Sequence, residues 1–205
     1  MVIIGLTGSI GMGKSTAAEK FRSLGIGVFD ADAQVHALYA GGAVALIETA
    51  FPGTTANGSV DRVRLSAALG GRDEAFRRLE AIIHPLVRDA ERAFLQAEQK
   101  RGARQAVLEI PLLFETGADK MVDVVIVVSA DAATQRARVM ARPGMSAEKF
   151  DMIVARQMSD AEKRARADFV VDTTGAITDT QAQIDQILRK LTGKRGTAFA
   201  MFWGA

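Results

Sequence analysis

Cysteine is absent from the 205 residues, and tryptophan and tyrosine occur once each. Without cysteine there is no disulfide framework, so the fold must rest on buried apolar surface. No apolar run approaches the ~20 residues of a membrane span, which argues against a transmembrane helix. The first residues enter a strand pattern with no basic leader or cleavage motif, so secretion is not indicated and the expected compartment is the cytoplasm. An excess of one charge is also missing: 26 Lys and Arg stand against 24 Asp and Glu, a net +2. The basic residues are scattered among acidic ones rather than gathered with aromatics into a stripe, which argues against nucleic acid as the principal partner. What remains, 48% hydrophobic and 24% charged, is the composition of a globular chain whose length suits one domain with room for an inserted subdomain.

The most informative stretch is Val2 to Thr16. Val2, Ile3, Ile4 and Leu6 form a short apolar run suited to a strand buried on both faces of a parallel sheet. Gly8, Gly13, Lys14 and Ser15 then complete the pattern G-x-x-x-x-G-K-[ST], with Gly11 as an extra hinge. Glycines let successive N–H groups turn inward, so a phosphate chain can lie against the backbone. Lys14 can reach the terminal phosphates, the Ser15 hydroxyl can serve Mg²⁺, and the helix opening there presents its positive end. An ordinary Gly-rich turn between strand and helix would leave the order Gly13-Lys14-Ser15-Thr16 unexplained.

Further along, Val28 and Phe29 mark a second strand that ends in Asp30-Ala31-Asp32, ahead of a new helix carrying His36. Two carboxylates at the carboxyl end of a strand stand where open α/β sheets bind ligands, although either Asp also suits a helix N-cap. Residues 37–105 read as helices over Val44–Phe51, Arg64–Leu69, Ala75–Ile83 and Leu86–Gln99, with turns at Pro52-Gly53 and Asn57-Gly58. Asp61 and Asp73 are candidate N-caps, and His84-Pro85 is expected to break or kink what would otherwise be one helix. Leu86, Ala90, Ala93, Phe94 and Ala97 share a face assigned to the core. Ala106–Glu109 is a strand, and Ile110-Pro111-Leu112-Leu113-Phe114-Glu115 a loop whose apolar residues look exposed enough to close over an organic substrate. Val122–Val128 and Phe169–Val171 complete five strands. Between them a helix bears Gln135, Arg136, Arg138 and Arg142, and a second bears Arg156. Thr178 with Gln181 reads as a capping box for the last helix, and Gly193–Ala205 carries no usable pattern.

Five strands with helices between them, the first leading into a phosphate loop, specify a parallel five-stranded sheet in a three-layer α/β/α fold. Phosphoryl transfer needs charge on the γ-phosphate, a metal, and a group that positions the acceptor. Lys14 and Ser15 supply the first two, Asp32 is the carboxylate candidate, and Arg138 and Arg142 suit a lid over the phosphates.

In combination these residues carry a resemblance. Gly5 to Gly175 resembles the dephospho-coenzyme A kinases, through Gly8-Ser9-Ile10-Gly11-Met12-Gly13-Lys14-Ser15-Thr16, Asp30-Ala31-Asp32 with His36, Ile83-His84-Pro85-Leu86, Ile110 to Glu115, Gln135 with Arg138 and Arg142, Gln157, and Ala167-Asp168. The resemblance implies ATP-dependent phosphorylation of the ribose 3′-hydroxyl of dephospho-coenzyme A, with Mg²⁺ beside ATP and neither nucleic acid nor membrane as partner. It implies a P-loop kinase core (1–36, 105–135, 167–192), a helical substrate subdomain (about 37–104) and a lid (about 136–166), leaving 193–205 unassigned. Gly8, Gly11, Met12, Gly13, Lys14, Ser15, Thr16, Arg138 and Arg142 are then expected around ATP, and Thr7, Asp30, Asp32, His36, His84, Leu112 and Leu113 around the acceptor. Lys14, Asp32, Arg138 and Arg142 are the expected catalytic residues. Asp32 is expected to activate the hydroxyl and Asp30 to support the strand end or metal-bound waters, because on a continuing strand the two side chains would point to opposite faces. The chain departs from the family pattern at Ser9, Glu109 and Thr173.

Two rivals share the phosphate loop. A regulatory GTPase would find a D-x-x-G match at Asp172-Thr173-Thr174-Gly175, but late in the chain and with no Asn-Lys-x-Asp segment after it. A nucleoside monophosphate kinase would want arginines in the insertion, which Arg62, Arg64, Arg72, Arg77, Arg78 and Arg88 supply. The Asp30, Asp32 and His36 segment and the Ile110-Pro111-Leu112-Leu113 segment favour the coenzyme.

Overall fold

The structure is a computed structural model in which residues 1–204 are described. In chain order it runs β1 (Val2–Thr7), α1 (Lys14–Ser23), β2 (Gly27–Asp30), α2 (Ala31–Tyr39), α3 (Val44–Ala50), β3 (Thr55–Ala56), β4 (Ser59–Val60), α4 (Arg62–Leu69), α5 (Asp73–Lys100), β5 (Gln105–Glu109), β6 (Val124–Ser129), α6 (Ala132–Met140), α7 (Ala147–Ala155), α8 (Asp160–Arg166), β7 (Phe169–Asp172) and α9 (Ile177–Lys190). The chain divides into two compact units, Met1–Phe29 with Leu95–Ala205, and Asp30–Phe94. The second unit thus begins earlier, and ends earlier, than the helical insertion expected at 37–104.

The first unit is built on a five-stranded sheet in the order β2-β5-β1-β6-β7, with β1 parallel to β5 and β6, and β6 parallel to β7. All six residues of β1 and of β6 are buried, as continuous apolar runs in a doubly covered sheet require. Val2, Ile4 and Leu6 pack with Ala17, Ala18 and Phe21 of α1 and Ile184 and Ile187 of α9. Residues of odd number face the other way: a Cβ on Gly5 would lie 2.9 Å from Leu113. The central position of β1, with neighbours on both sides, makes its carboxyl end the place where strand order reverses and ligands bind.

Gly193 to Gly204, unreadable from sequence, belongs to this unit. The Asp123 carboxylate accepts the Ile3 amide on one oxygen (2.8 Å) and the Thr197 and Ala198 amides on the other (2.6 and 2.9 Å). A π-helical turn, Phe199–Trp203, then buries the Trp203 ring, whose Nε1–H donates to the Met121 carbonyl at 2.9 Å.

The second unit is helical with a small apolar core that includes Ile47, Phe51, Val60, Leu65, Leu69, Leu79 and Ile83. Four sequence expectations change here. Asn57 (φ 51°) and Gly58 (φ 74°) form more than a turn: they join β3 to β4 as a two-residue hairpin, for which Asn-Gly is the preferred pair. Asp61 does cap α4, accepting from the Val63 and Arg64 amides, but Asp73 is the first residue of α5 rather than its cap. Pro85 lies inside α5, which continues for 28 residues. Leu79, Ile83, Leu86 and Val87 bind both sides of the proline to one core, so the lost hydrogen bond does not end the helix. The buried face of α5 runs through Leu79, Ile83, Glu91, Leu95 and Glu98, whereas Ala93 and Ala97 of the expected stripe are exposed.

Glu91 on that face is 3% exposed and paired with Arg88 at 3.1 Å. Burial pushes its carboxyl up to about 7, and Arg88 offsets only part of the effect. A carboxyl raised in the folded state contributes stability that is complete below its ordinary range near 4.5 and is lost as pH rises through about 7. Glu91→Gln removes the titration. Relative to this variant, the parent should therefore lose about 3 kcal/mol of unfolding free energy between pH 4 and pH 8, by urea melts at each pH. Parallel curves would disprove it.

Candidate active site

Between β1 and α1 the chain makes a tight loop around glycines. At Gly8 a Cβ would sit 2.5 Å from the Val128 carbonyl oxygen. Gly13 takes φ 84° at the N-terminal boundary of α1, and a Cβ there would press on Thr173 at 3.1 Å. No side chain caps α1 at Gly13. The ten-residue helix thus begins with amides turned to the loop, and Lys14 and Ser15 occupy its first two positions. Beside this turn lies a hollow of about 420 Å³ lined by Ser15, Thr16, Lys20, Ile177 and Gln181 among others.

Four neighbours hold the loop in shape. The Ile10 peptide is gripped at both ends, its carbonyl by Gln135 Nε2 (2.8 Å) and its amide by Gln157 Oε1 (3.1 Å). Met12, expected at ATP, turns its side chain into the core, where its Sδ accepts from the Ala130 amide at 3.0 Å. Only its backbone faces the loop, and that carbonyl accepts from Thr173 Oγ1 at 2.9 Å. Sequence reasoning gave Thr173 and Gln157 no role. The cues for Thr173 are its departure from the family pattern and its place directly after β7.

Of the arginines, Arg138 lies on α6 with its guanidinium donating to the Thr173 carbonyl at 2.6 Å and to Oγ1 at 3.2 Å, which ties it to the same residue that braces Gly13. Arg142 is exposed just beyond α6 and its side chain has no ion pair among the described residues. Arg136 pairs instead with Asp151 at 3.8 Å and lies over the Phe150 ring, so it ties α6 to α7. Hydrogen bonds from Thr134 and Thr174 hold the Asp131 and Asp172 carboxyls below their usual range at the exits of β6 and β7.

The turn after β5 corrects the expectation of an exposed apolar loop. Leu113 is fully buried and Phe114 nearly so, beneath Arg166 at 4.5 Å from its ring. Thr7 is also fully buried, donating to the Pro111 carbonyl at 3.1 Å. Thr7 and Leu113 are thus both buried here, and of the pair Leu112 and Leu113 only Leu112, 38% exposed, faces solvent. The same turn is pinned by Lys163 of α8, whose buried Nζ lies 2.9 Å from Glu115 Oε1 and 3.1 Å from the Pro111 carbonyl. Glu115 also accepts from the Met158 amide at 2.8 Å. Lys163→Ala leaves Glu115 without its cation, so a double-mutant cycle with Glu115→Gln should return a coupling of about 1–3 kcal/mol. Additive losses in thermal melts would exclude the pair as a unit. The expected capping box at Thr178 is absent, since α9 starts at Ile177. The box occurs instead at Ser159 and Glu162, opening α8.

In the second unit, Asp30 closes β2 and caps α2, its Oδ1 accepting from the Ala33 amide at 2.9 Å. The strand does not persist to Asp32, which is exposed in the first turn of α2. Opposed strand faces therefore do not separate the two carboxylates; capping does, because it occupies Asp30, whereas the Asp32 carboxylate has no hydrogen bond or ion pair among the described residues. One turn on, His36 Nδ1 lies 2.6 Å from Arg62 Nη2. His84 is exposed on α5. Glu109, ending β5, is buried with Arg22 at 3.9 Å. No group of three or more metal-binding side chains occurs among the described residues.

Comparison with known proteins adds to this geometry. The family model described as "Dephospho-CoA kinase" matches residues 2–179. The chain is 54% identical over 198 residues to a dephospho-CoA kinase of Brucella melitensis, covering 97% of this chain and 99% of the relative. It is 56% identical over 191 residues to one of Rhizobium etli, covering 93% and 94%. Among solved structures, the dephospho-CoA kinase from Campylobacter jejuni superposes with a TM-score of 0.69 at 28% identity, over 92% of this chain and 96% of the other.

Proposed function

Since the chain belongs to the dephospho-CoA kinase family, we propose that it transfers the γ-phosphoryl group of ATP to the ribose 3′-hydroxyl of dephospho-coenzyme A, giving coenzyme A and ADP. The observation that carries the chemistry is the uncapped start of α1 behind a glycine loop, with Lys14 as its first residue. Backbone amides there bind the phosphate chain, and Lys14 adds charge where it develops in the transition state. Arg142 serves as the mobile cation of a lid made by α6, α7 and α8. Arg138, held by Thr173, flanks the nucleotide. On the acceptor side Asp32 receives or orients the hydroxyl proton, while Asp30 fixes the start of α2.

Mg²⁺ fits this residue set. The exposed Ser15 hydroxyl is a single hard-oxygen donor in the first turn of α1, and a nucleotide-borne Mg²⁺ keeps its phosphate and water ligands and needs no protein cage. When bound, the ion neutralises phosphate charge. Glu109 is buried beside Arg22 and suits support rather than direct ligation.

ADP release measured with dephospho-coenzyme A, with AMP and with no acceptor tests the reading. Turnover should require dephospho-coenzyme A; equal or faster turnover with AMP would favour a nucleoside monophosphate kinase, and acceptor-independent release a nucleotide hydrolase.

A further inference from the structure

Between β1 and α1 the chain reverses direction over Ser9 to Met12. The Met12 amide donates to the Ser9 carbonyl at 3.1 Å, with Ile10 and Gly11 as the central pair. Gly11, at φ 79°, has the positive angle that a type II turn demands of its second central residue. A type I turn joins the same ends with the Ile10–Gly11 peptide rotated by half a turn and φ of about −90° at that position. Glycine accepts either sign of φ, so the residues of the turn leave the direction of that peptide open.

Two side chains from outside the loop settle it. Gln135, 9% exposed on α6, donates from Nε2 to the Ile10 carbonyl at 2.8 Å. Among the described residues no peptide is cis, so the N–H on the far side of the same peptide, that of Gly11, points away from Gln135. Gln157, in the connection between α7 and α8, accepts the Ile10 amide on Oε1 at 3.1 Å. Its own place is fixed by the next residue: the Met158 amide donates to Glu115 Oε1 at 2.8 Å, and Glu115 pairs with buried Lys163 at 2.9 Å. Of the three amides from Ile10 to Met12, the protein thus occupies the first and the third. That of Gly11 has no hydrogen-bond partner among the described residues.

Resting on the nucleotide reading above, we propose that Gln135 and Gln157 are positioning residues for phosphoryl transfer: by holding the Ile10 carbonyl and amide they keep the Gly11 N–H turned to the phosphate chain of ATP. In this role neither side chain touches the nucleotide. The Gly11 amide is aimed before ATP arrives, so no reorganisation of the turn opposes its bond to a phosphate oxygen. The two glutamines act through opposite ends of their amides, which makes them separable. A backbone carbonyl needs a donor, so position 135 acts through its NH₂; a backbone amide needs an acceptor, so position 157 acts through its oxygen.

Gln135→Met and Gln157→Met keep the reach of the side chain and remove the hydrogen bond. Each should lower kcat/KM for ATP about tenfold or more, equivalent to ~1.4 kcal/mol and of the order of one hydrogen bond to a charged group. The KM for dephospho-coenzyme A should stay within about twofold of the parent. Gln157→Glu retains an acceptor and should restore most of the loss, whereas Gln135→Glu, a carboxylate without a donor, should do no better than Gln135→Met. Both Glu variants add the same charge, so the contrast reports the direction of the hydrogen bond. In amide nitrogen–proton correlation spectra, saturating MgADP should move the Gly11 proton of the parent downfield. Gln135→Met should lose that movement and keep the one at Gly13, which also shows that the variant is folded and binds ADP. Parent-like kcat/KM in either Met variant overturns the proposal, as does rescue by Glu at position 135, its failure at 157, or a Gly11 movement that survives Gln135→Met. The titration needs no acceptor, so failure of the assigned reaction shows separately, as a parent without ADP release that depends on dephospho-coenzyme A.

Discussion

Lys14→Ala is expected to yield a folded protein whose kcat with ATP and dephospho-coenzyme A has fallen by about 10²–10³ or more. Lys14 is the first residue of α1 and partly exposed, so its loss opens no cavity in the Phe21 and Ile184 core beneath that helix. Alanine is also at least as good a helix former as lysine. Unfolding free energy should therefore stay within about 0.5 kcal/mol of the parent, the range of surface substitutions. On the proposed reading, what the variant lacks is a charge at the β- and γ-phosphates, where negative charge shifts during transfer. Single-turnover measurements at saturating ATP separate this from weakened binding. A kcat near the parent's would remove Lys14 from the reaction.

Asp32→Asn should lower the single-turnover rate by about 10²-fold or more with ATP affinity retained, whereas Asp30→Asn should be nearly silent. The contrast follows from their neighbours. Asp30 is engaged as the cap of α2 through the Ala33 amide, and asparagine caps a helix about as well as aspartate. Asp32 sits in the first turn, exposed. Asparagine there keeps the shape and an accepting oxygen but cannot take the hydroxyl proton. Reversed results would give the acceptor hydroxyl to Asp30, and two normal variants would leave neither carboxylate in the chemistry.

The sheet and the loop were legible because their signals are local. An apolar run in β1, the spacing of Gly8, Gly13, Lys14 and Ser15, and the carboxylates after β2 all lie within the first 32 residues. Where expectation and structure part, the deciding contact is distant in sequence. Leu113 reads as exposed until Gly5 makes room for it 108 residues away, and Lys163 reads as one more surface cation until Glu115 and the Pro111 carbonyl receive it. Pro85 reads as a break or kink because the core that spans it is assembled from α3, α4 and the β3–β4 hairpin. The pairing of His36 with Arg62 joins residues 26 apart, neither of which implies the other by spacing.

Asp123 imposes an order on the making of the protein. Its carboxylate holds the amide of Ile3 on one oxygen and those of Thr197 and Ala198 on the other, so the central strand and the closing segment meet at one side chain. Ile3 and Thr197 lie 194 residues apart in the chain, so the two halves of this contact can meet only after the residues between them have been made. The helical unit of residues 30–94, whose apolar core draws on its own residues alone, is free to fold in the interval. The closure at Asp123 and the folding of the helical unit are thus separate events in the chain's maturation.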